Sequence, residues 1–433
     1  MNQNKIFIFE FVSGGGFNNV EIPPSLFCEG FAMLRSIISD FKKIDFEISS
    51  LLDDRISYLS QYIAADFIDI VSSNDEFISK FKNILTKCRS CFIIAPEFSN
   101  ILFKLTKIAL DMNKVILSVN LEGIRLAASK ILTYNYFRSN SILTPTTYSI
   151  PYKNDHLDID FIIKKLKILN KPIIIKPNDG VGAELIYFFE NKMQIIKFFE
   201  NFEEKLDLSR KYILQEYIRG DDLSISLINH GVSNPLILSV NSQFISIRND
   251  DYESQYYGGC TPVKNFFSIK KKLEKNLRDL DLTKFNSYFG IDFIKNEQNF
   301  NYFIEINPRL TTSYIGIRNI IKQNPVELIL IPNETDFVCA EIEHLYFSKF
   351  CRLELHKVDH ETSTNFINNK IPKLMKNIPD MVTPPITFNN ISNQESERYS
   401  CFIATKTKDH QSSNERINQI IEMLKIYGFK VLN

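Results

Sequence analysis

Glu305 and Asn307 stand two residues apart in Tyr302-Phe303-Ile304-Glu305-Ile306-Asn307-Pro308-Arg309. The alternation from Tyr302 to Asn307 is that of a half-buried strand. It predicts Tyr302, Ile304 and Ile306 on one face and Phe303, Glu305 and Asn307 on the other. A carboxylate and an amide oxygen then point the same way, roughly 6 to 7 Å apart along the backbone. That pairing suits a hard cation such as Mg2+, which keeps waters and phosphate oxygens in the rest of its shell. Pro308 removes a ladder donor and stops the strand, so Arg309 stands at the exit, where a guanidinium can hold phosphate or carboxylate oxygens with two bonds. Taken alone, Glu-x-Asn also fits an edge strand with solvated polar residues.

Upstream, Lys171 to Pro177 reads as a strand, Asn178-Asp179-Gly180-Val181-Gly182-Ala183 as a loop, and Leu185 to Phe189 as a second strand. The G-x-x-x-x-G-K-[ST] pattern is absent, which excludes a P-loop. The hairpin still suits an anion: Gly180 and Gly182 let backbone N–H groups approach, and Lys176 brings a point charge. A plain surface hairpin is the alternative. Tyr212-Ile213-Leu214-Gln215-Glu216-Tyr217-Ile218 follows as an apolar strand ending in polar residues, with Asp221-Asp222 shortly after it. A strand edge beside Ile218, with Gln215 close by, can read an adenine. Gly290 to Ile294 and the opening stretch read as a hairpin turning near Asn296 to Asn299. If the turn centres on Gln298-Asn299, Asp292 lies opposite Glu305, but a slip of one residue reverses the facing.

These residues need a scaffold, and the first 120 residues supply a regular one. Strands are expected at Lys5 to Phe11, Phe46 to Leu51, Phe67 to Val71, Cys91 to Ala95 and Val115 to Val119. Helices alternate with them: one capped by Ser25, others near Glu76 to Leu85 and Ile101 to Met112, implying a small, mostly parallel sheet. Ser13-Gly14-Gly15-Gly16 resembles a dinucleotide loop but lacks the third glycine at Asn19, so it reads as a loop near substrate. Pro96-Glu97 falls just past a strand end, where open α/β sheets place ligand contacts. Tyr257 to Pro262 reads as a tight turn, and the tail adds strands near Tyr346 to Glu354 and Cys401 to Thr405 and a helix near Asn414 to Tyr427.

Bulk composition narrows the class. The 51 basic and 51 acidic residues balance, so no net field argues for nucleic acid or an anionic membrane. No run of 18 apolar residues occurs, and the expectation is a cytoplasmic protein without a membrane partner. Seven cysteines spread over 433 residues are read as buried thiols, Cys88 and Cys91 included.

Taken in order, Ser129-Lys130, Lys176 with its hairpin, Gln215 to Ile218, Asp292 and Glu305 to Arg309 resemble the motifs of the ATP-grasp superfamily. The resemblance runs from about Met1 to Lys322 and lies in order and spacing. It implies a mixed α/β and α+β chain: a Rossmann-like pre-ATP-grasp domain (1–120), an ATP-grasp domain of two α+β subdomains (121–330), and an extra C-terminal α+β segment (331–433). It also implies ATP with Mg2+ or Mn2+. Lys130, Lys176 and the backbone at Gly180 and Gly182 would meet phosphates. Gln215, Glu216, Tyr217 and Ile218 would hold adenine, Asp222 the ribose or phosphate side, and Asp292, Glu305 and Asn307 one or two metal ions. Arg309 and Lys176 would counter charge during transfer. The implied reaction joins a small carboxylate to an amine through an acyl phosphate. A nucleotide-binding module without ligase activity and a carboxyphosphate-forming carboxylase are the alternatives, and a homo-oligomer is left open. Phe9 to Phe17, Glu29 to Arg35, Tyr257-Gly258-Gly259 and Asn307 to Tyr314 further resemble the tyramine–glutamate ligase branch, which implies glutamate as one substrate class.

Overall fold

The structure is a computed structural model that describes residues 4–180, 182, 185–232, 234–247, 254–331, 342–358, 365–386 and 398–432. The N-terminal part is a parallel sheet in the order Phe67–Val71, Glu47–Asp53, Lys5–Glu10, Ser90–Ile94, Val115–Ile116. Its central strand is buried on both faces, as the continuous apolar run Ile6 to Phe9 requires. The helix Pro24–Lys42 packs across it through Phe27, Phe31, Leu34, Ile38 and Phe41. Ser25 does not cap this helix. Pro24 occupies the first turn, where a missing N–H costs nothing, and Pro23 takes the capping position without a side-chain bond.

An antiparallel sheet of Tyr187–Phe189, Ile173–Pro177, Tyr212–Glu216 and Thr147–Ser149 carries the glycine hairpin. Beside it runs a larger antiparallel sheet, ordered Asn301–Asn307, Ser287–Asn296, Gly220–Asn229, Leu236–Ser246, Gln255–Thr261, Ser348–Lys357, Arg398–Ala404, Met381–Ile386. Phe429–Val431 adds to Ser348–Lys357. The strand Leu236–Ser246 has no counterpart in the sequence reading, although its polar Ser239, Asn241 and Gln243 alternate with apolar Leu238 and Val240.

The segment Tyr257 to Pro262 is a strand over Gln255–Thr261 and not a tight turn. Its glycines serve close strand approach: a Cβ on Gly259 would sit 1.9 Å from the Ser242 carbonyl oxygen, and one on Gly258 would sit 2.1 Å from that of Phe350. Through this strand the C-terminal segment joins the same sheet, pairing Gly258 with Cys351 and Gly259 with Phe350. Behind the new strands Leu353, Leu355, Leu374, Ile403, Ile420 and Leu424 form a further apolar cluster.

The N-terminal helix is bolted to the helix Ser313–Ile320 by a buried charge cluster. Asp40 accepts two bonds of 2.7 Å from Arg318 and one of 2.9 Å from the Tyr314 hydroxyl. Asp40 is 1% exposed, so its loss strands a buried guanidinium. Asp40→Ala is expected to destabilise the protein by about 3 to 5 kcal/mol, read from the shift of the urea midpoint. A shift worth under about 1 kcal/mol would show that Arg318 finds water instead.

Candidate active site

Asp292 and Glu305 face each other across the ladder between Ser287–Asn296 and Asn301–Asn307. One irregularity sets this. The register jumps from Asp292↔Glu305 to Phe293↔Phe303, leaving Ile304 as an extra residue, a bulge. The strict alternation expected from Tyr302 to Asn307 is therefore broken. Phe303 leaves the face of Glu305 and packs in the core against Phe293 and Phe137, with centroids 6.1 and 5.6 Å away. The bulged backbone spends its outward N–H of Phe303 on the Leu143 carbonyl at 2.8 Å. Glu305 and Asn307 stay on one face, as expected.

Cross-strand pairing puts Ser224 opposite Asp292 and Asn241 opposite Ser224, so the face of Asp292 is polar over several strands. Asp222 lies on that face two pairs along, opposite Ile294. Asn307 donates to Asp292 at 3.0 Å, and Gln243 donates to its other oxygen at 3.1 Å. Gln243, which sequence reading passed over, thus orients one of the two acids. Burial first, then the neighbouring Glu305 charge, pushes Asp292 up to about 7. Burial alone would raise Glu305 too, but Lys130 and Lys176 outweigh it and hold Glu305 below the ordinary carboxylate value. Burial, then Asp221, raises Asp222 to about 6.

Two lysines flank the acids. Lys130 Nζ lies 2.6 Å from Glu305 and donates to the Gly180 carbonyl at 2.7 Å. Its helix, Lys130–Ser139, is seated on the hairpin. The Lys130 N–H donates to the Asn178 carbonyl, and the Ile131 N–H to the Asn178 side chain at 3.0 Å. Lys176, 5% exposed, is brought by burial down to about 8 despite the pull of Glu305. Gly182 has φ +63 and open space where a Cβ would stand, so its backbone is accessible. Val181 and Ala183 of the same loop lie outside the described residues.

The proposed adenine-reading stretch splits. The Gln215 amide is buried and donates to Thr147 at 2.9 Å, and Glu216 pairs with Lys171. Gln215 thus holds the strand Thr147–Ser149, and Glu216 the segment before Ile173–Pro177. Tyr217 sets its ring edge-on to Phe188 at 4.8 Å, and Ile218 is buried. Backbone edges and apolar surface are what this stretch leaves open to a ligand.

Arg309 points at the N-terminal sheet, where its Nε donates to both oxygens of Glu97 at 3.1 and 3.2 Å. Glu97 sits past the end of Ser90–Ile94, where the sequence placed a ligand contact. The loop Val12 to Gly16 wraps the buried Glu10 carboxylate, which accepts from Val12 N at 3.1 Å, Ser13 N at 2.6 Å and Ser13 Oγ at 2.7 Å. Gly30 leaves room for that carboxylate, since a Cβ there would come within 2.4 Å of it. Glu29, on the same helix as Gly30, pairs with Arg352 from the C-terminal segment at 2.5 Å. Burial raises Glu29 more than Arg352 lowers it.

An ATP-grasp domain model matches residues 127–313, the stretch that holds Lys130, Lys176, Asp292, Glu305, Asn307 and Arg309. Residues 127–313 form an ATP-grasp domain. The chain is 28% identical over 317 residues to the tyramine–L-glutamate ligase of Methanocaldococcus jannaschii, covering 72% of this chain and 84% of that one. Among solved structures, the biotin carboxylase domain of Hydrogenobacter thermophilus 2-oxoglutarate carboxylase, solved with MgADP and bicarbonate, covers 99% of this chain and 90% of its own. Its TM-score is 0.67 at 12% identity. An L-amino acid ligase from Bacillus licheniformis covers 99% of this chain and 98% of its own, with a TM-score of 0.64 at 10% identity. These two likenesses speak for the fold, which extends through the C-terminal segment.

A divalent cation fits the ATP-grasp site. Asp292 and Glu305 stand half-buried side by side, and the upward push of one by the other is a repulsion that a bound cation would relieve. Lys176 offers a sharper test of where phosphates lie. At pH 9 its amine is largely neutral in the free protein, while bound phosphates favour the charged form, so binding must take up a proton. Calorimetry of MgADP binding at pH 9, in two buffers of different ionisation enthalpy, should show net uptake that is lost in Lys176→Met. Proton release, or no exchange, would show that Lys176 does not meet the phosphates.

Proposed function

We propose that the ATP-grasp domain makes this chain an ATP-dependent ligase that activates a small carboxylate as an acyl phosphate and passes it to an amine. The observation that carries the reading is the Asp292–Glu305 pair with Lys130 and Lys176 beside it and Arg309 at the strand exit. The relatedness to a tyramine–L-glutamate ligase supports glutamate, or a similar amino acid, as the carboxylate and an aryl-alkyl amine as the acceptor.

In this reading a substrate carboxylate oxygen attacks the γ-phosphorus of ATP, the bond to the β-phosphate oxygen breaks, and ADP leaves. The amine then attacks the acyl carbon, phosphate departs with the electron pair, and the amine gives up a proton to form the amide. Mg2+ held by Asp292 and Glu305, with Asn307 beside them, would neutralise phosphate charge. Lys130 and Lys176 counter the negative charge on the phosphates, and the hairpin backbone at Gly180 and Gly182 closes over them. Arg309 steadies the transferred group at the substrate end, with Glu97 fixing its orientation. Asp222, on the same sheet face as Asp292, serves the ribose side. The protein's part is mostly positioning and electrostatics.

A carboxylase reading has one observation in its favour, the likeness of the whole fold to a biotin carboxylase domain. One assay separates the readings. ADP release should require both a carboxylate and an amine, with a new amide seen by mass spectrometry when glutamate and tyramine are supplied. Release that needs bicarbonate would favour the carboxylase, and MgADP binding without turnover in amine and amino-acid pools a binding module. Glu305→Gln should lower turnover by at least about 100-fold while the thermal midpoint stays within a few degrees. Undiminished turnover in that variant would remove the metal-site assignment.

A further inference from the structure

The face of the large sheet that carries Asp292 continues into the C-terminal segment. Gln243, which donates to Asp292, pairs with Gly259, and Gly259 pairs with Phe350. Side chains alternate along a strand, so Arg352, two residues on from Phe350, stands on that same face. There it meets the N-terminal helix. Its Nη1 lies 2.5 Å from Glu29, and its Nε lies 2.7 Å from Glu354. One guanidinium thus stands between two carboxylates, and the trio carries an excess of one negative charge.

Of the acids at this end, Glu29 is the one placed to take a further partner. Glu10 and Glu97 are 2% and 6% exposed, one wrapped by the Val12 to Ser13 backbone and the other holding Arg309. Glu354 has both oxygens engaged, by Arg352 and by Ser400 Oγ at 2.9 Å. The Glu29 side chain is 18% exposed, and among the described residues its Oε2 accepts no hydrogen bond, Arg352 being taken by Oε1. Two half-buried tyrosines border it. The Tyr257 ring centre stands 5.6 Å from the Arg352 guanidinium, and the Tyr256 hydroxyl shares a hydrogen bond of 2.8 Å with Thr312, three residues past Arg309. Burial first, then Glu29 and Asp292, push the Tyr256 hydroxyl up, so Tyr256 lies within the fields of the metal-site acid and of Glu29 alike. Arg309 also acts on Glu29, pulling it down after the larger effects of burial and Arg352.

We infer that Glu29 selects the acceptor: its carboxylate receives the acceptor amine as an ammonium ion, and Arg352 of the C-terminal segment is the positioning residue that fixes that carboxylate. An ammonium at Glu29 supplies the missing positive charge through a charge-assisted hydrogen bond, and its hydrocarbon body rests against Tyr256 and Tyr257. The carboxylate, half out of water, is left without that partner when the acceptor is uncharged, and an anionic acceptor meets repulsion. The acceptor class is therefore a primary amine that arrives as a cation. The inference rests on the ligase reading and narrows its second substrate.

Hydroxylamine is uncharged in neutral solution and captures an acyl phosphate as a hydroxamate, so it reports carboxylate activation without an ammonium. The full chain, given MgATP and a pool of amino acids that includes glutamate, should form hydroxamate with hydroxylamine and amide with tyramine or another aryl-alkyl amine. Glu29→Gln should lower kcat/KM for the amine at least about tenfold more than it lowers hydroxamate formation, with the loss in KM. Glu29→Asp, which keeps the charge, should recover part of that loss. Should Glu29→Gln fail to fold, Arg352→Lys, which keeps the charge but loses the fork, should give the same split. Equal losses in the two assays, or an unchanged kcat/KM for the amine, overturn the inference and leave the ligase reading intact. So does hydroxamate formation by a protein that makes no amide with any ammonium-bearing amine. A folded protein that forms neither hydroxamate nor amide overturns both.

Discussion

Two half-buried carboxylates opposite each other on neighbouring strands repel, and much of the centre of this protein answers that repulsion. Asp292 and Glu305 are both half-buried, Glu305 19% exposed, so solvent screens their repulsion only in part. The protein compensates unevenly. Glu305 receives Lys130 directly and the field of Lys176, and so is held charged. Asp292 receives two amide donors, Asn307 and Gln243, which do not offset the loss of water, so it is pushed up. Lys176 in turn is desolvated enough to lose its proton easily. The hairpin is tied into the same balance, because Lys130 reaches Glu305 while donating to Gly180 and standing on Asn178.

How much of this was legible in the sequence depends on which residues carry the signal. The parallel N-terminal sheet was legible because each strand is an apolar run punctuated by a helix, and its strands lie within a few residues of expectation. The pairing of Asp292 with Glu305 was expected from a turn centred on Gln298-Asn299, but the register beside the turn, Lys295 with Asn301, points Asp292 at Ile304, and the bulge is what brings Glu305 opposite it. The bulge at Ile304 was not legible, since an inserted residue leaves no mark on composition and only pairing reveals it. Reading Gly258-Gly259 as a turn failed for a related reason. Glycine signals a turn or a close backbone approach equally well, and here the neighbours Ser242 and Phe350 decide for the second. Gln243 was missed because the strand carrying it alternates only weakly, with serine at several of its positions. The ATP-grasp order of motifs was legible; that Gln215 and Glu216 spend their side chains inside the sheet was not.

The C-terminal segment changes how the site is bounded. Its strand Ser348–Lys357 pairs with Gln255–Thr261, and Arg352 from it meets Glu29 of the N-terminal helix. The Arg352 guanidinium also stands 5.6 Å from the centre of the Tyr257 ring. Three stretches distant in sequence thus converge near the end of the site where Arg309 lies. Strand pairing holds this convergence more firmly than a loop contact would, because a shift of Arg352 would require a slip of the whole ladder.

The distribution of charge also argues about order of events. The site holds two half-buried acids and two lysines around the hairpin, with the Arg309–Glu97 pair past the strand exit, and Asp292 and Lys176 are both shifted against their charged forms. In the proposed complex a cation would favour the ionised form of Asp292, and phosphates the protonated form of Lys176. Attraction between the cation and the phosphates would couple the two, so that each would strengthen the other's binding.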